Sequence, residues 1–209
     1  MIDKEVYDRY LDGLLDGDKE RCIEIVNSLI DESVKIKELY TKLIQPSMYH
    51  IGELWETGEI SVADEHLATS ITDRILTIVY PRMFSAEKSG KSAIVACVAN
   101  EYHQLGGRMV ADFFELNGWD GYFVGANTPV KDLIDLIDEK KPEILGLSLA
   151  MYFNLPDLLD TIEKIREEYS DLKIIVGGQA FRDGGSDVLD DFDDVEYISS
   201  LDRLEEIIR

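Results

Sequence analysis

The 209-residue chain is poor in basic residues: 21 Lys and Arg stand against 43 Asp and Glu, which gives a formal net charge of −22. Proteins that bind nucleic acids neutralise the phosphates with clustered Lys and Arg. The sequence contains neither a run of basic residues nor a helix-turn-helix pattern, so it argues against direct binding to DNA. The acidic excess is typical of a solvated protein surface.

Cysteine and long apolar segments are also scarce. The two cysteines, Cys22 and Cys97, lie in a helical pattern and in an apolar strand pattern, so they offer no disulfide framework and indicate a reducing, cytoplasmic compartment. No apolar run approaches the ~20 residues that a membrane-spanning helix needs, and the first residues lack the basic-then-apolar order of a signal peptide. Hydrophobic residues still make up 45% of the chain, which is enough for one large core or two smaller ones.

Residues 1–86 show the spacing of amphipathic helices. Apolar side chains recur there at intervals of three and four, and glycines interrupt the pattern. Pro46 predicts a kink or a restart in the third helix. Ser61, with Asp64 three residues later, predicts the N-cap of a fourth helix. Four helices joined by short links favour a four-helix bundle.

After a polar linker at 85–91, short apolar runs alternate with amphipathic segments. This alternation predicts a doubly wound parallel five-stranded sheet of flavodoxin-like or Rossmann-like order at 91–209. Strands are predicted at 92–99, 121–125, 143–149, 172–176 and 195–198, and helices at 106–117, 130–139, 155–168, 184–191 and 201–208. The predicted fold class is therefore α/β, with a helical bundle at 1–86 followed by the sheet domain.

One loop of the predicted sheet places an imidazole beside a carboxylate. Residues 101–106 read Glu-Tyr-His-Gln-Leu-Gly and lie between the first strand and the next helix. Open α/β sheets bind ligands outside the carboxyl ends of their strands, where His103 would stand. Glu101 can accept the ring N–H of His103, which fixes the tautomer and makes the other nitrogen a better metal ligand. Gly106 lets the chain pass close to a large group.

Together with two later segments, this loop resembles the D-x-H-x-x-G loop of cobalamin-binding domains, with Glu101 in place of the aspartate. The resemblance implies that His103 is the lower axial ligand of cobalt and that Glu101 orients it. The extra methylene of Glu101 predicts a longer or water-mediated hydrogen bond to His103.

The later matches lie at the ends of the third and fourth predicted strands. By the same resemblance, Ser148 and the pair Gly177-Gly178 line a slot for the nucleotide tail of the cofactor. Taken singly, these residues fit a chance serine and an ordinary glycine turn, and His103 fits a helix cap. Their joint spacing favours the cofactor site.

A second group lies in the helical block, where Trp55 is followed after nine residues by Glu65-His66. Taken singly, Trp55 fits a core position, Glu65 a solvated position and His66 a helix surface. His66 nevertheless shares a helical face with Thr69 or Ser70 and with Asp73, and this polar stripe is suited to face a ligand.

The W-x9-E-H pattern ahead of such a sheet resembles the light-sensing, adenosylcobalamin-dependent regulators and their stand-alone antirepressor relatives. That resemblance implies that the bundle covers the upper face of the corrin, that Trp55 shields the adenosyl group, and that Glu65 and His66 border its pocket. Glu56 stands where well-known photoreceptors carry a histidine after the tryptophan, and a carboxylate is a poorer cobalt(III) ligand than imidazole. The cobalt ligand after illumination, Glu56 or His66, stays open.

These observations leave functions of different classes. The first is a cobalamin-dependent sensory or regulatory protein, with adenosylcobalamin as the light-absorbing cofactor. DNA-binding members carry a winged-helix module before the bundle, and this sequence begins at the bundle, so we expect the signal to pass to a regulatory protein partner or through a homo-oligomer.

The alternative is a corrinoid protein that carries a methyl group between methyltransferases; that family has a similar bundle and sheet but usually lacks W-x9-E-H. A cobalamin storage module is a third possibility. No nucleophile–base pair indicates independent catalysis, so the cofactor would supply any reactivity.

Overall fold

The computed structural model describes residues 1–83, 87–182, 184–192 and 194–209. The chain divides into two compact units, of which the first is Met1–Met83 and the second takes the rest of the chain to Arg209. The predicted end of the bundle at 86 and the start of the linker at 85 lie outside the described residues.

The first unit is helical. Its α-helices are α1 (Lys4–Leu15), α2 (Lys19–Asp31), α3 (Ile36–Leu39), α4 (Gln45–Glu56) and α5 (Val62–Val79). A π-helical turn, Tyr40–Ile44, joins α3 to α4, so the described part of this unit contains four helical rods. The core between them is apolar, and its fully buried side chains include Tyr10, Leu14, Cys22, Val26, Leu43, Ile44, Ile51, Ile75 and Leu76.

Local sequence explains the limits of these helices. Pro46 has no N–H, and its ring collides with the carbonyl four residues earlier in a regular α-helix; the wider π turn directly before it takes up this misfit. Ser61 and Asp64 form the predicted capping box, in which each side chain accepts a hydrogen bond from the backbone N–H of the other residue.

The second unit is a parallel sheet with helices. The strands are β1 (Ser92–Cys97), β2 (Asp120–Gly125), β3 (Ile144–Ser148), β4 (Lys173–Gly177) and β5 (Val195–Tyr197), and the helices are α6 (Leu105–Leu116), α7 (Val130–Lys140), α8 (Leu155–Glu168) and α9 (Leu201–Ile208). The strand order is β2-β1-β3-β4-β5, and all neighbours are parallel. This is the flavodoxin-like order, so the predicted fold class is confirmed.

Helices cover both faces of the sheet. Alternate residues of β1, β3 and β4 pack with α7 and α8 in one buried cluster, while α6 contacts β1, β2, β3 and α9. The strand order reverses between β1 and β3, and ligands of open α/β sheets bind outside the carboxyl ends of the strands at such a point. The strand register places Cys97, Ser148 and Gly177 side by side at the carboxyl ends of β1, β3 and β4.

One predicted element is wrong. The sequence predicts a helix at 184–191, but the described residues there form only a short 3-10 helix, Ser186–Leu189. Gly184 and Gly185 have φ angles of 115° and 84°, which lie outside the α-helical region. No helix in the described ranges combines the length and the hydropathy that a membrane crossing requires.

Candidate functional site

Glu101 is the centre of the site in the sheet unit. It lies in the loop after β1, its residue is fully buried, and its two carboxylate oxygens serve different loops. Oε1 accepts hydrogen bonds from the ring Nδ1 of His103 (2.7 Å) and from its backbone N–H (2.9 Å). Oε2 accepts from the backbone N–H groups of Ala150 (3.0 Å) and Met151 (2.9 Å) and from the side-chain amide of Asn154 (3.4 Å).

The charge of Glu101 defines which ring nitrogen of His103 donates to it. Burial raises the pKa of Glu101, but hydrogen bonds from the ring of His103 and from the N–H groups of His103, Met151 and Ala150 outweigh it and lower that pKa to about 2. An ionised carboxylate only accepts hydrogen bonds, so Nδ1 of His103 carries a proton, and in the neutral form of the ring Nε2 presents the lone pair. The His103 side chain is 50% exposed, so a metal can approach the ring.

The prediction of a longer or water-mediated contact between Glu101 and His103 is wrong, because the two side chains meet directly at 2.7 Å. Oε1 folds back onto the residue two positions later, while Oε2 points to the loop after β3. The Glu101 side chain thus serves two loops at once.

Two asparagines fix the backbone that carries this pair. Asn100 and Asn127 have φ angles of 63° and 50°. The backbone N–H of Asn100 donates to Oδ1 of Asn127 (2.8 Å), and the backbone N–H of Asn127 donates to the carbonyl of Glu101 (2.8 Å). The side chain of Asn100 donates to Asp157 in the first turn of α8 (3.0 Å). The loops after β1 and β2 are therefore tied to each other and to the start of α8.

Ser148 lies behind the loop, at the end of β3. Its exposed fraction is 8%, and a Cβ built on Gly107 would lie 3.3 Å from its Cβ and 3.2 Å from the ring of Phe123. Sequence reasoning missed Gly107, although a second glycine at a helix start signals a close approach.

Cys97 pairs with Ser148 across β1 and β3. Burial raises the pKa of its thiol to about 12, so that thiol stays neutral and is a poor metal ligand.

The predicted glycines differ in what requires them. A Cβ on Gly178 would lie 2.0 Å from the carbonyl oxygen of Leu149, and one on Gly177 would lie 3.2 Å from that of Ile198. Gly178, at φ 123°, is therefore required by the fold itself. A Cβ on Gly106, by contrast, meets no atom of the described chain within 4 Å. The fold does not require a glycine there, which fits a position that leaves space for a bound group beside His103.

The bundle unit brings together the other candidates. Trp55 lies in the last turn of α4, and Glu65 and His66 lie near the start of α5, so the three stand at the same end of two helices that pack together. Trp55 is partly buried, and the side chains of Glu65 and His66 are 18% and 73% exposed. Oε1 of Glu65 accepts a hydrogen bond from Thr69 (2.8 Å), which orients its carboxylate.

The polar stripe on α5 has two rows. Glu65, Thr69 and Asp73 are partly buried, whereas His66 and Ser70 are exposed. Nε2 of His66 lies 3.6 Å from Oε2 of Glu65.

Comparison with known proteins identifies both units. Two family models match, each described as a B12 binding domain, over residues 6–80 and 91–208. Trimethylamine corrinoid protein 1 of Methanosarcina acetivorans is 22% identical over 84% of this chain and 83% of its own length. The HTH-type transcriptional repressor CarH of Myxococcus xanthus is 25% identical over 79% of this chain, which spans 54% of the repressor's length.

Solved structures show the same fold. The monomethylamine corrinoid protein of Methanosarcina barkeri superposes with a TM-score of 0.86 at 16% identity, covering 99% of this chain and 98% of that one. A cobalamin-binding protein of Desulfitobacterium hafniense DCB-2 has a TM-score of 0.51 at 22% identity, covering 95% of this chain and 94% of its own. At these identities the similarity establishes the fold alone.

Proposed function

Since the chain belongs to the B12-binding domain family, we propose that it is a cobalamin-dependent sensory or regulatory protein that holds cobalt through Nε2 of His103. The observation that carries the cobalt site is the buried, ionised Glu101, which keeps the proton on Nδ1. A Cβ on Gly106, three residues after His103, would meet open space, and we propose that this space takes part of the cofactor. Ser148, Gly177 and Gly178 are proposed to border the nucleotide tail, because they end the adjacent strands β3 and β4.

Replacement of His103 by Ala tests the cobalt site. The variant is expected to bind cobalamin more weakly and to lose the visible spectrum of a cobalt–imidazole complex, since it lacks the ligand that Glu101 orients. His66→Ala is the matched control among the three histidines of the chain, and before illumination it should keep the cobalt–imidazole spectrum. Equal affinity and an identical spectrum in His103→Ala would refute the assignment.

We propose adenosylcobalamin as the natural form of the cofactor. When bound, it supplies a light-absorbing and weak cobalt–carbon bond. Trp55 offers an aromatic wall, and Glu65 and His66 offer polar groups that an adenosyl group can use and a methyl group cannot. The carboxylate of Glu65 is already oriented by Thr69, so it can accept hydrogen bonds from a ribose or an adenine with little further ordering.

The affinities for adenosyl- and methylcobalamin test this choice. We expect a preference for adenosylcobalamin that Trp55→Ala loses, while the spectrum of His103 on cobalt remains. Absorption recorded before and after green light, with the elution volume of the protein in both states, then tests the sensory role. A light-dependent change in elution volume would support signalling through a protein partner or a second copy of the chain.

The second candidate is a corrinoid methyl carrier. It is favoured by the comparison with trimethylamine corrinoid protein 1, which extends over 83% of that protein's length. Equal affinity for methyl- and adenosylcobalamin, with no change of elution volume after illumination, would favour the carrier over the sensor.

A further inference from the structure

We propose that Asn154 is a positioning residue for His103 and acts through Glu101. The inference rests on the proposed cobalt-binding role of His103. It assigns part of the control over the imidazole to the β3–α8 connection (residues 149–154), which follows β3 and is distant in sequence from the histidine loop.

The carboxylate of Glu101 is shared between the two loops. One oxygen holds His103 through its ring and its backbone N–H, and the other is held by donors of the β3–α8 connection. A carboxylate is planar and rigid, so a rotation of one oxygen moves the other. The donors on Oε2 therefore set the direction from which Oε1 meets the imidazole.

Asn154 donates to Oε2 through its side-chain amide, whereas Ala150 and Met151 donate through their backbone N–H groups. Its exposed fraction is 4%, and its amide nitrogen lies 3.4 Å from Oε2 of Glu101 and 3.2 Å from the carbonyl oxygen of Asn100. The amide has two N–H groups, so it can donate to both oxygens at once. Asn154 thus holds the carboxylate of Glu101 and the peptide unit directly before that residue.

The short 3-10 helix Tyr152–Asn154 presents this amide. The backbone N–H of Asn154 donates to the carbonyl of Met151 (2.9 Å), and the backbone N–H of Met151 donates to Oε2 of Glu101 (2.9 Å). Both ends of the turn therefore contact the same carboxylate oxygen. Loss of the Asn154 amide would leave the backbone donors in place, so the loop should keep its fold while Glu101 gains rotational freedom.

Two variants change this contact in different ways. Asn154→Ala removes the amide, and Asn154→Asp places an acceptor against the ionised carboxylate with almost the same shape. Because partners of metal-ligating histidines typically contribute 10–100-fold to metal affinity, we expect each variant to weaken binding of adenosylcobalamin by about 10-fold. The fraction of bound cofactor that shows the cobalt–imidazole spectrum should fall as well.

Asp160→Ala, at an exposed position of α8, is the matched control. It removes the ion pair with Lys164 (2.7 Å) but leaves every donor to the carboxylate of Glu101 unchanged. It should bind cobalamin with the affinity and the spectrum of the unmodified protein. Thermal unfolding of the cofactor-free variants reports separately on the fold.

A double-mutant cycle separates positioning from a structural role. If Asn154 acts through the imidazole, Asn154→Ala should cost nothing further in a His103→Ala background. The same loss of affinity in both backgrounds, with an unchanged spectrum in the single variant, would overturn the inference.

The controls distinguish this inference from the proposed function. If His103→Ala binds cobalamin like the unmodified protein, the cobalt site and the role of Asn154 both fail. If His103→Ala loses the cobalt–imidazole spectrum while both Asn154 variants keep it with unchanged affinity, only the role of Asn154 fails.

Discussion

At the scale of single residues, the structure shows what a glutamate does in a loop that resembles an aspartate motif. Its carboxylate reaches back to His103 and forward to the loop after β3, where three donors surround Oε2. Each of these donors needs an acceptor at that position. A neutral amide offers an acceptor on one side only, so the charge of Glu101 can be tested separately from its length.

Glu101→Gln should prevent His103 from binding cobalt. Three donors face Oε2, whereas one fixed donor, the backbone N–H of His103, faces Oε1. The amide oxygen therefore faces the three donors, the NH₂ group faces His103, and Nδ1 must accept from it. The proton then moves to Nε2, which loses the lone pair that a metal needs. We expect cobalamin affinity to fall by about 10–100-fold, measured by spectral titration.

A glutamate at the amino ends of the strands, on the opposite side of the sheet from the site, serves as the control. Glu143 directly precedes β3, and its carboxylate accepts a hydrogen bond from the backbone N–H of Ser92 (2.7 Å) at the start of β1. Glu143→Gln should leave affinity and spectrum unchanged. A Glu101→Gln protein that retains a full cobalt–imidazole spectrum would show that the tautomer is set elsewhere.

The sequence could predict the pair Glu101 and His103, because two residues in one short loop after a strand are neighbours in any fold of this class. It could not predict the bond length, since that depends on side-chain torsions. The sequence could not predict the role of Asn154 either, because its partners Asn100 and Glu101 are more than 50 positions away. Only the parallel register of β1 and β3 brings the three residues together.

At the scale of secondary structure elements, the turns after the strands contain glycines with two different tasks. Gly178 faces the carbonyl of Leu149 at a distance that no side chain tolerates, whereas Gly106 in the first turn of α6 faces open space. The first is a requirement of the sheet and the second is not. Single alanine substitutions should separate the two.

Gly178→Ala should destabilise the protein, because its φ of 123° and the contact with Leu149 both exclude a Cβ; strain of this kind costs about 1–3 kcal/mol or more.

Gly106→Ala should leave the free energy of unfolding unchanged or raise it by up to about 1 kcal/mol, since alanine favours a helix over glycine. Its effect should appear instead as weaker binding of cobalamin. Chemical denaturation of the cofactor-free variants and spectral titration measure the two effects, and weaker stability with intact binding in Gly106→Ala would contradict the proposed clearance.

Periodicity predicted most elements because the strands are short apolar runs and the helices are amphipathic. It failed where backbone conformation, and not side-chain pattern, decides. Gly184 and Gly185 stop the expected helix at 184–191 by their positive φ angles. At Pro46, where a kink or a restart was predicted, a π turn precedes the proline. The doubly wound parallel sheet was expected from the alternation of strands with helices.

At the scale of the whole molecule, the two units carry separate parts of the proposed function. The sheet unit contains His103, the proposed cobalt ligand, with its hydrogen-bond network, and the bundle unit contains Trp55, Glu65 and His66. A sensor needs an event at the cofactor that changes the relative stability of two states of the protein. Illumination tests whether the bundle residues take part in that event.

We expect the light-exposed protein to hold its upper cobalt ligand only loosely. Glu56, which follows Trp55 and is exposed, offers a carboxylate, and a carboxylate binds cobalt(III) less firmly than a second imidazole. Added imidazole should therefore convert the visible spectrum of the light-exposed protein within the time of mixing, whereas a protein already bound by two histidines would not respond. His66→Ala tells whether His66 contributes, because its loss should speed the conversion only if His66 reaches the metal. The chain has three histidines, so a stable two-imidazole spectrum that survives in His66→Ala would assign the second ligand to His50 and refute the expectation drawn from Glu56.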